Sequence, residues 1–170
     1  MTQNDTLALF RQTGALLHGH FILRSGLHSR EFFQCALLLR DTKVAERVCG
    51  ALADQLRSTE FDTVISPALG GILVGQEVAR QLGKPHIFTE KNDTGALVLR
   101  RGFTIKPGER FAVIEDVVTR GGRLMETVDI VQQHGGVVVA AASLVNRSGG
   151  ELPAMDFPFH GLVELNPETF

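Results

Sequence analysis

Cysteine is scarce in this chain: Cys35 and Cys49 are the only two among 170 residues. Two widely spaced thiols make neither a metal motif nor a disulfide framework. They fit buried, reduced thiols in a cytosolic protein. An excess of positive charge is missing too. The formal net charge is −2, which gives no electrostatic case for nucleic acid, whose binders carry a basic face. Any phosphate site must therefore be local. No apolar run reaches the length of a membrane span. The opening residues Thr2-Gln3-Asn4-Asp5 are polar, with no signal-peptide pattern. There is no internal repeat and no low-complexity segment. What is present is ordinary for a globular protein, 44% hydrophobic and 21% charged, on a length that suits one domain with a sizeable core.

Along the chain, Asp5 or Thr6 can cap a first helix whose apolar face runs to Leu16-Leu17 and which ends at Gly14 or Gly19. Phe21 to Leu23 and Phe32 to Cys35 read as two short strands around the turn signal Ser25-Gly26, a small flap outside the main sheet. Asp41 can cap a second helix, with Val44, Val48, Leu52 and Leu56 at helical spacing. Phe61 to Ile65 is a strand that leads through Ser66-Pro-Ala-Leu-Gly-Gly71 into a helix over 72–82, closed by Gly83 and Pro85. His86 to Thr89 is a short strand. The polar, glycine-containing stretch after Glu90 reads as a mobile loop, followed by a strand-like segment over 97–103. Val137 to Val145 is a near-continuous apolar run, as expected of a strand covered on both faces. The tail reads as a loop and one edge strand over 162–165. Strands alternating with helices predict an α/β fold, a twisted, mainly parallel sheet with helices on both faces.

The most informative stretch is Phe111 to Arg123. An apolar strand, Phe111 to Ile114, is followed by paired acids Glu115 and Asp116, then Val117, Val118, Thr119, Arg120 and the pair Gly121-Gly122, with a helix from about Leu124 to His134. Backbone N–H groups of the turn and of the helix N-terminus have no partners of their own and favour a phosphate. The glycines let the backbone come close to it. Carboxylates would repel a phosphate, so the acids fit ribose hydroxyls or a nearby metal ion better. A strand ending in paired acids ahead of a glycine turn is more specific than a glycine turn alone. A second strand–loop–helix unit, Ser66 to Gly71, could hold a second phosphate group. Arg147, at the C-terminal end of the apolar run, sits where ligands of open α/β sheets bind, and a guanidinium there can grip a carboxylate with two parallel hydrogen bonds.

These motifs resemble those of the type I phosphoribosyltransferases, in particular the orotate phosphoribosyltransferases of a short-loop subgroup. The similarity covers roughly residues 14–150, in five motif regions in the right order. It implies the family fold with a small N-terminal hood, contributed here mainly by residues 17–40, and transfer of 5-phosphoribosyl from phosphoribosyl pyrophosphate (PRPP) to orotate, giving orotidine 5′-monophosphate and pyrophosphate. The implied PRPP site comprises Glu115 and Asp116 on the ribose hydroxyls, Val117, Val118, Thr119, Arg120, Gly121, Gly122 and Arg123 around the 5′-phosphate, and Ser66, Ala68, Leu69, Gly70 and Gly71 facing the pyrophosphate. Orotate falls to Arg147 through its carboxylate, to Thr119, and to the hood residues Arg24, Phe32 and Phe33. Lys91, Arg100, Arg101 and Asp116 are the implied catalytic set, the cations serving the leaving group. The cofactor implied is Mg²⁺, held mainly by PRPP, with Asp116 the one side chain offered to it. The family is typically a cytoplasmic homodimer that shares its loops, which would put Lys91 in the neighbour's site.

The chain departs from the family pattern at several positions. Gly70 stands where many members have lysine, Glu90 replaces an expected arginine, and Arg123 stands where the motif usually has serine. The longer loop with a Lys-x-His pair is absent, and the Arg100-Arg101-Gly-Phe pattern is the candidate substitute. Two other functions are compatible with the same fold. One is a purine phosphoribosyltransferase, several of which carry an acid where this chain has Thr119. The other is a regulator sensing PRPP or a nucleotide, which would add a nucleic-acid surface that is not evident here.

Overall fold

A computed structural model of the chain describes every residue except Pro167 and Thr169. Helix α1 (Gln3–Gln12) is capped by Thr2, whose hydroxyl accepts from the Asp5 N–H while the Asp5 carboxylate accepts from the Thr2 N–H. The expected cap at Asp5 or Thr6 is thus displaced: Asp5 is the third helical residue and closes a reciprocal capping box. The helix stops before Gly14, which takes φ 73°, and Leu16-Leu17 start β1 (Leu16–Ile22) instead of extending the helix. Strand β1 pairs antiparallel with β2 (His28–Phe33) as a separate two-stranded sheet, the hood. Cys35 is not in this strand; it opens a short helix, α2 (Cys35–Leu39). Asp41 caps α3 (Thr42–Leu56) as expected, accepting from the N–H groups of Lys43 and Val44.

The main sheet is then built from β3 (Thr63–Pro67), α4 (Gly70–Leu82), β4 (His86–Lys91), β5 (Leu97–Leu99), β6 (Arg110–Val118), α5 (Gly122–Gln133), β7 (Val137–Asn146) and β8 (Phe159–Glu164). Its order is β5-β4-β3-β6-β7-β8. All neighbours are parallel except the β4–β5 hairpin. Residues 100–103 lie outside β5, so the strand-like segment is shorter than its apolar pattern suggested.

Both faces of this sheet are covered, and the two-residue strand period sorts the side chains between them. Ala112 and Ile114 of β6 and Ala140, Ala142 and Leu144 of β7 pack with Phe10, Val48, Leu52, Val74 and Val78 from α1, α3 and α4. Phe111 and Val113 of β6, with Ile65, Val138 and Ala141, pack with Leu124, Val128 and Val131 of α5 on the other face. Cys35 and Cys49 are free and buried in the first of these clusters. Burial raises both thiols, Cys49 to about 12, so both are neutral near neutral pH. No helix of the described residues is long and apolar enough to cross a membrane.

Chain direction decides where a ligand fits. From β3 the chain crosses through α4 to β4, on one side; from β6 it crosses through α5 to β7, on the other. Strands β3 and β6 are adjacent, so the path reverses between them. The crevice at their C-terminal ends is where open α/β sheets bind ligands.

Candidate active site

Strand β6 does not stop at Ile114. It runs through the acids to Val118, with Glu115 opposite Ser143 and Val118 opposite Asn146. The acids are therefore held on a paired strand, not on a loose turn. The Glu115 Oε1 accepts from the Asp116 N–H at 3.0 Å, and the Asp116 Oδ1 accepts from the Val117 N–H at 2.7 Å. Glu115 is buried while Asp116 is half-buried. Burial first, and the neighbouring Asp116 charge second, push the Glu115 carboxyl well above the usual carboxylate range, and the Arg24 cation of the hood partly opposes this.

The Ser66–Gly71 loop folds directly over the acids. A Cβ added at Gly70 would overlap the Asp116 carboxylate, lying 2.7 Å from its Cγ, and one at Gly71 would come within 3.1 Å of Glu115 Oε1. This accounts for the missing lysine: no side chain fits at Gly70 while Asp116 keeps its place. Ser66 is fully buried and its hydroxyl turns inward to His86 Nε2 at 3.0 Å. The Ala68 N–H, next to a cis Ala68–Leu69 peptide, is taken by the Thr89 carbonyl at 2.7 Å. The donors left for an anion are those at the start of α4, around Gly70 and Gly71, which helix geometry leaves unpaired.

The second candidate cradle for an anion follows β6. Thr119 and Arg120 are exposed, and Gly121 takes φ 83° to turn the chain into α5. Gly121 is packed under the tail loop, where a Cβ would lie 3.1 Å from Pro153 Cδ. Arg123 is not turned into this cradle. Its Nη1 donates to Glu126 Oε2 at 3.2 Å and to the Gly95 carbonyl of the β4–β5 hairpin at 3.4 Å.

Arg147 closes the third side. Its backbone N–H donates to the Val118 carbonyl at 2.8 Å, which fixes it beside the end of β6. Its guanidinium is buried, with Nη2 donating to the Ser29 Oγ (2.9 Å) and the Glu31 carbonyl (3.2 Å) of the hood. Nε is buried with no partner among the described residues. The guanidinium carbon stands 5.5 Å over the Phe33 ring. Burial lowers the proton affinity of Arg147, and Glu31 opposes that. Phe33 itself is core, edge-on to Phe10 at 5.2 Å. Phe32 is half-buried and stacks on Phe21 at 5.5 Å. Arg24 is exposed. The role of Ser29 under Arg147 is carried in sequence only by the Ser-Gly-x-x-Ser pattern of the hood.

The remaining cations lie on or after the hairpin. Lys91 and Arg100 are exposed. Arg101, at φ 62°, makes a two-pronged pair with Glu90 (2.6 and 3.1 Å) and lies over the Phe88 ring at 5.6 Å. Glu90, in place of arginine, therefore acts as the tether of Arg101.

Among the described residues, no three His, Cys, Asp or Glu side chains gather as a metal cage. A divalent ion that brings oxygen ligands from a phosphorylated substrate fits better. Hard cations such as Mg²⁺ keep substrate and water oxygens and need only one or two carboxylates, and Asp116 is the acid open to one.

The chain is similar to known proteins of one family. The phosphoribosyl transferase domain family matches residues 38–162. The orotate phosphoribosyltransferase of Carboxydothermus hydrogenoformans is 49% identical, over 98% of this chain and 87% of its own length. That of Chlorobaculum parvum is 46% identical, over 94% and 82%. The solved orotate phosphoribosyltransferase of Aeropyrum pernix superposes with a TM-score of 0.76 at 24% identity, over 93% of this chain and 92% of that one. An adenine phosphoribosyltransferase from Thermoanaerobacter pseudethanolicus superposes with a TM-score of 0.70 at 19% identity, over 79% and 88%, so fold alone does not choose the base. The chain belongs to the phosphoribosyltransferase family, on its orotate phosphoribosyltransferase branch.

Proposed function

We propose that this protein transfers the 5-phosphoribosyl group of PRPP to N1 of orotate, releasing pyrophosphate and forming orotidine 5′-monophosphate, a step of pyrimidine synthesis. The observation that carries the choice of base is Arg147: a buried guanidinium with an unpartnered Nε, beside the acid strand and under the hood. A guanidinium held at this strand end can give the orotate carboxylate a charge-assisted bond. A purine offers no such group.

The reaction is a displacement at the anomeric carbon. The bond to pyrophosphate breaks with its electron pair on the leaving oxygen, the ring carbon becomes cationic, and orotate N1 forms the new bond as its proton passes to solvent. Asp116 and Glu115 hold the ribose hydroxyls, and the negative potential of Asp116 favours the cationic ring. The α4 N-terminus at Gly70-Gly71 takes the leaving pyrophosphate, and Thr119 to Gly122 take the 5′-phosphate. Lys91, Arg100 and Arg101, on or beyond the hairpin, would meet leaving-group charge. Positioning and electrostatic stabilisation supply the rate. Mg²⁺, when carried in on PRPP, would neutralise charge on the leaving group, with Asp116 the side chain able to reach it. By the same resemblance the enzyme is cytoplasmic, one domain per chain, and a homodimer whose Lys91 serves the neighbour's site.

The test is loss of orotate ultraviolet absorbance with PRPP and Mg²⁺, run beside adenine. The expected result is turnover of orotate alone, abolished by chelation. Turnover of adenine alone would overturn the choice of base.

A further inference from the structure

One buried polar cluster beneath the pyrophosphate loop is not part of the substrate-contacting set. His86, at the start of β4, is half-buried. Its Nδ1 lies 3.1 Å from Gln76 Oε1 on α4, and its Nε2 lies 3.0 Å from Ser66 Oγ at the end of β3. An amide oxygen only accepts, so Nδ1 carries the proton. Burial lowers the imidazole to about 4, so the ring is neutral near neutral pH and Nε2 must accept. The Ser66 hydroxyl therefore donates to it. Space for this pair is made by Gly75, where a Cβ would overlap Ser66 Oγ and lie 2.5 Å from His86 Nε2. Three elements thus meet at one hydroxyl whose residue has no solvent exposure and cannot itself touch a ligand.

The position matters because of what this loop lacks. With glycine at 70 there is no cation on it, and its donors sit against the Asp116 carboxylate, which would repel pyrophosphate. Binding then depends on where the backbone N–H groups point. We propose that His86 is a positioning residue for the pyrophosphate subsite, acting through the Ser66 hydroxyl to hold the loop, with Gln76 fixing the tautomer that can accept. This rests on the reading of Ser66–Gly71 as the pyrophosphate subsite.

The experiment is a double-mutant cycle read by calorimetric titration with PRPP and, separately, with inorganic pyrophosphate. The proteins are wild type, Ser66→Ala, His86→Leu and the double variant. One hydrogen bond contributes about 0.5–1.5 kcal/mol, so each single change is expected to raise Kd by about 2- to 12-fold. In the Ser66→Ala background His86→Leu should add less than about 2-fold, since the bond is already gone. The KM for orotate should stay constant throughout. Gln76 is exposed, so Gln76→Ala serves as a second probe if His86→Leu fails to fold: it should weaken PRPP in wild type and be silent beside Ser66→Ala. Independent, multiplying effects of either pair, or equal losses for orotate and PRPP, would overturn the positioning role. Wild type that binds neither probe would overturn the subsite reading itself.

Discussion

Alanine at Gly70 is the sharpest small perturbation of this site. Gly70 does not occupy the left-handed region, so the backbone accepts alanine, and at the start of α4 alanine is the better helix former. On backbone grounds alone folding stability would hold or rise slightly. The new methyl, however, would overlap the Asp116 carboxylate, 2.7 Å from its Cγ. Rotating the far end of the side chain cannot relieve a contact with Cγ; χ1 must change, and the 2.7 Å bond from the Val117 N–H goes with it. Overpacking of this kind costs about 1–3 kcal/mol. If the cost falls on the geometry that binds ribose and pyrophosphate, KM for PRPP rises about 5- to 150-fold. Initial rates at varied PRPP, with orotate saturating, read this directly, and a thermal melt checks the fold. An unchanged KM for PRPP in a folded Gly70→Ala protein would refute the claim that the loop and the acid pair form one site.

Two further outcomes follow from the same contacts. Gly121→Ala forces an L-residue to φ 83° beneath Pro153, and should destabilise by about 1–2 kcal/mol, a fall in Tm of about 2–8 °C for a chain of this size, measured by calorimetry; an unchanged Tm would contradict the described turn. Glu115→Gln separates stability from function. The folded state holds the Glu115 proton to higher pH than the unfolded chain, whose glutamate titrates at about 4.3. Between those two values the folded state binds more protons, so stability falls as pH rises. Urea midpoints from pH 4 to 8 should show Glu115→Gln gaining on wild type with increasing pH while PRPP affinity drops; a constant gap would mean Glu115 is not buried in its neutral form.

Much of this was legible in the sequence because the strands covered on both faces are apolar and the turns glycine-rich. The β6–turn–α5 unit and the run 137–145 are of that kind. The end of β6 was misread because acids normally argue against a strand interior; here they ride on a strand whose ladder with β7 continues to Val118↔Asn146. Helix α2 is five residues long, too short for a period to register. Leu16-Leu17 fit the apolar face of α1, and only the left-handed turn at Gly14 diverts them into β1. The rest depends on contacts distant in sequence. Gly70 against Asp116 explains the absent lysine, Arg101 on Glu90 explains the absent arginine, and Arg123 reaches the hairpin at Gly95 instead of the turn after β6. Ser66 on His86 left no trace in either segment, since serine after a strand and histidine before an apolar pair are both commonplace.

The most direct test of the account is the Arg147→Ala enzyme assayed with each substrate varied in turn. Truncating one partner of a buried, charge-assisted pair costs about 2–5 kcal/mol, so kcat/KM for orotate should fall at least about 30-fold while KM for PRPP stays within a few-fold. Equal losses for both substrates, or undiminished orotate turnover, would contradict the assignment of the orotate carboxylate to Arg147.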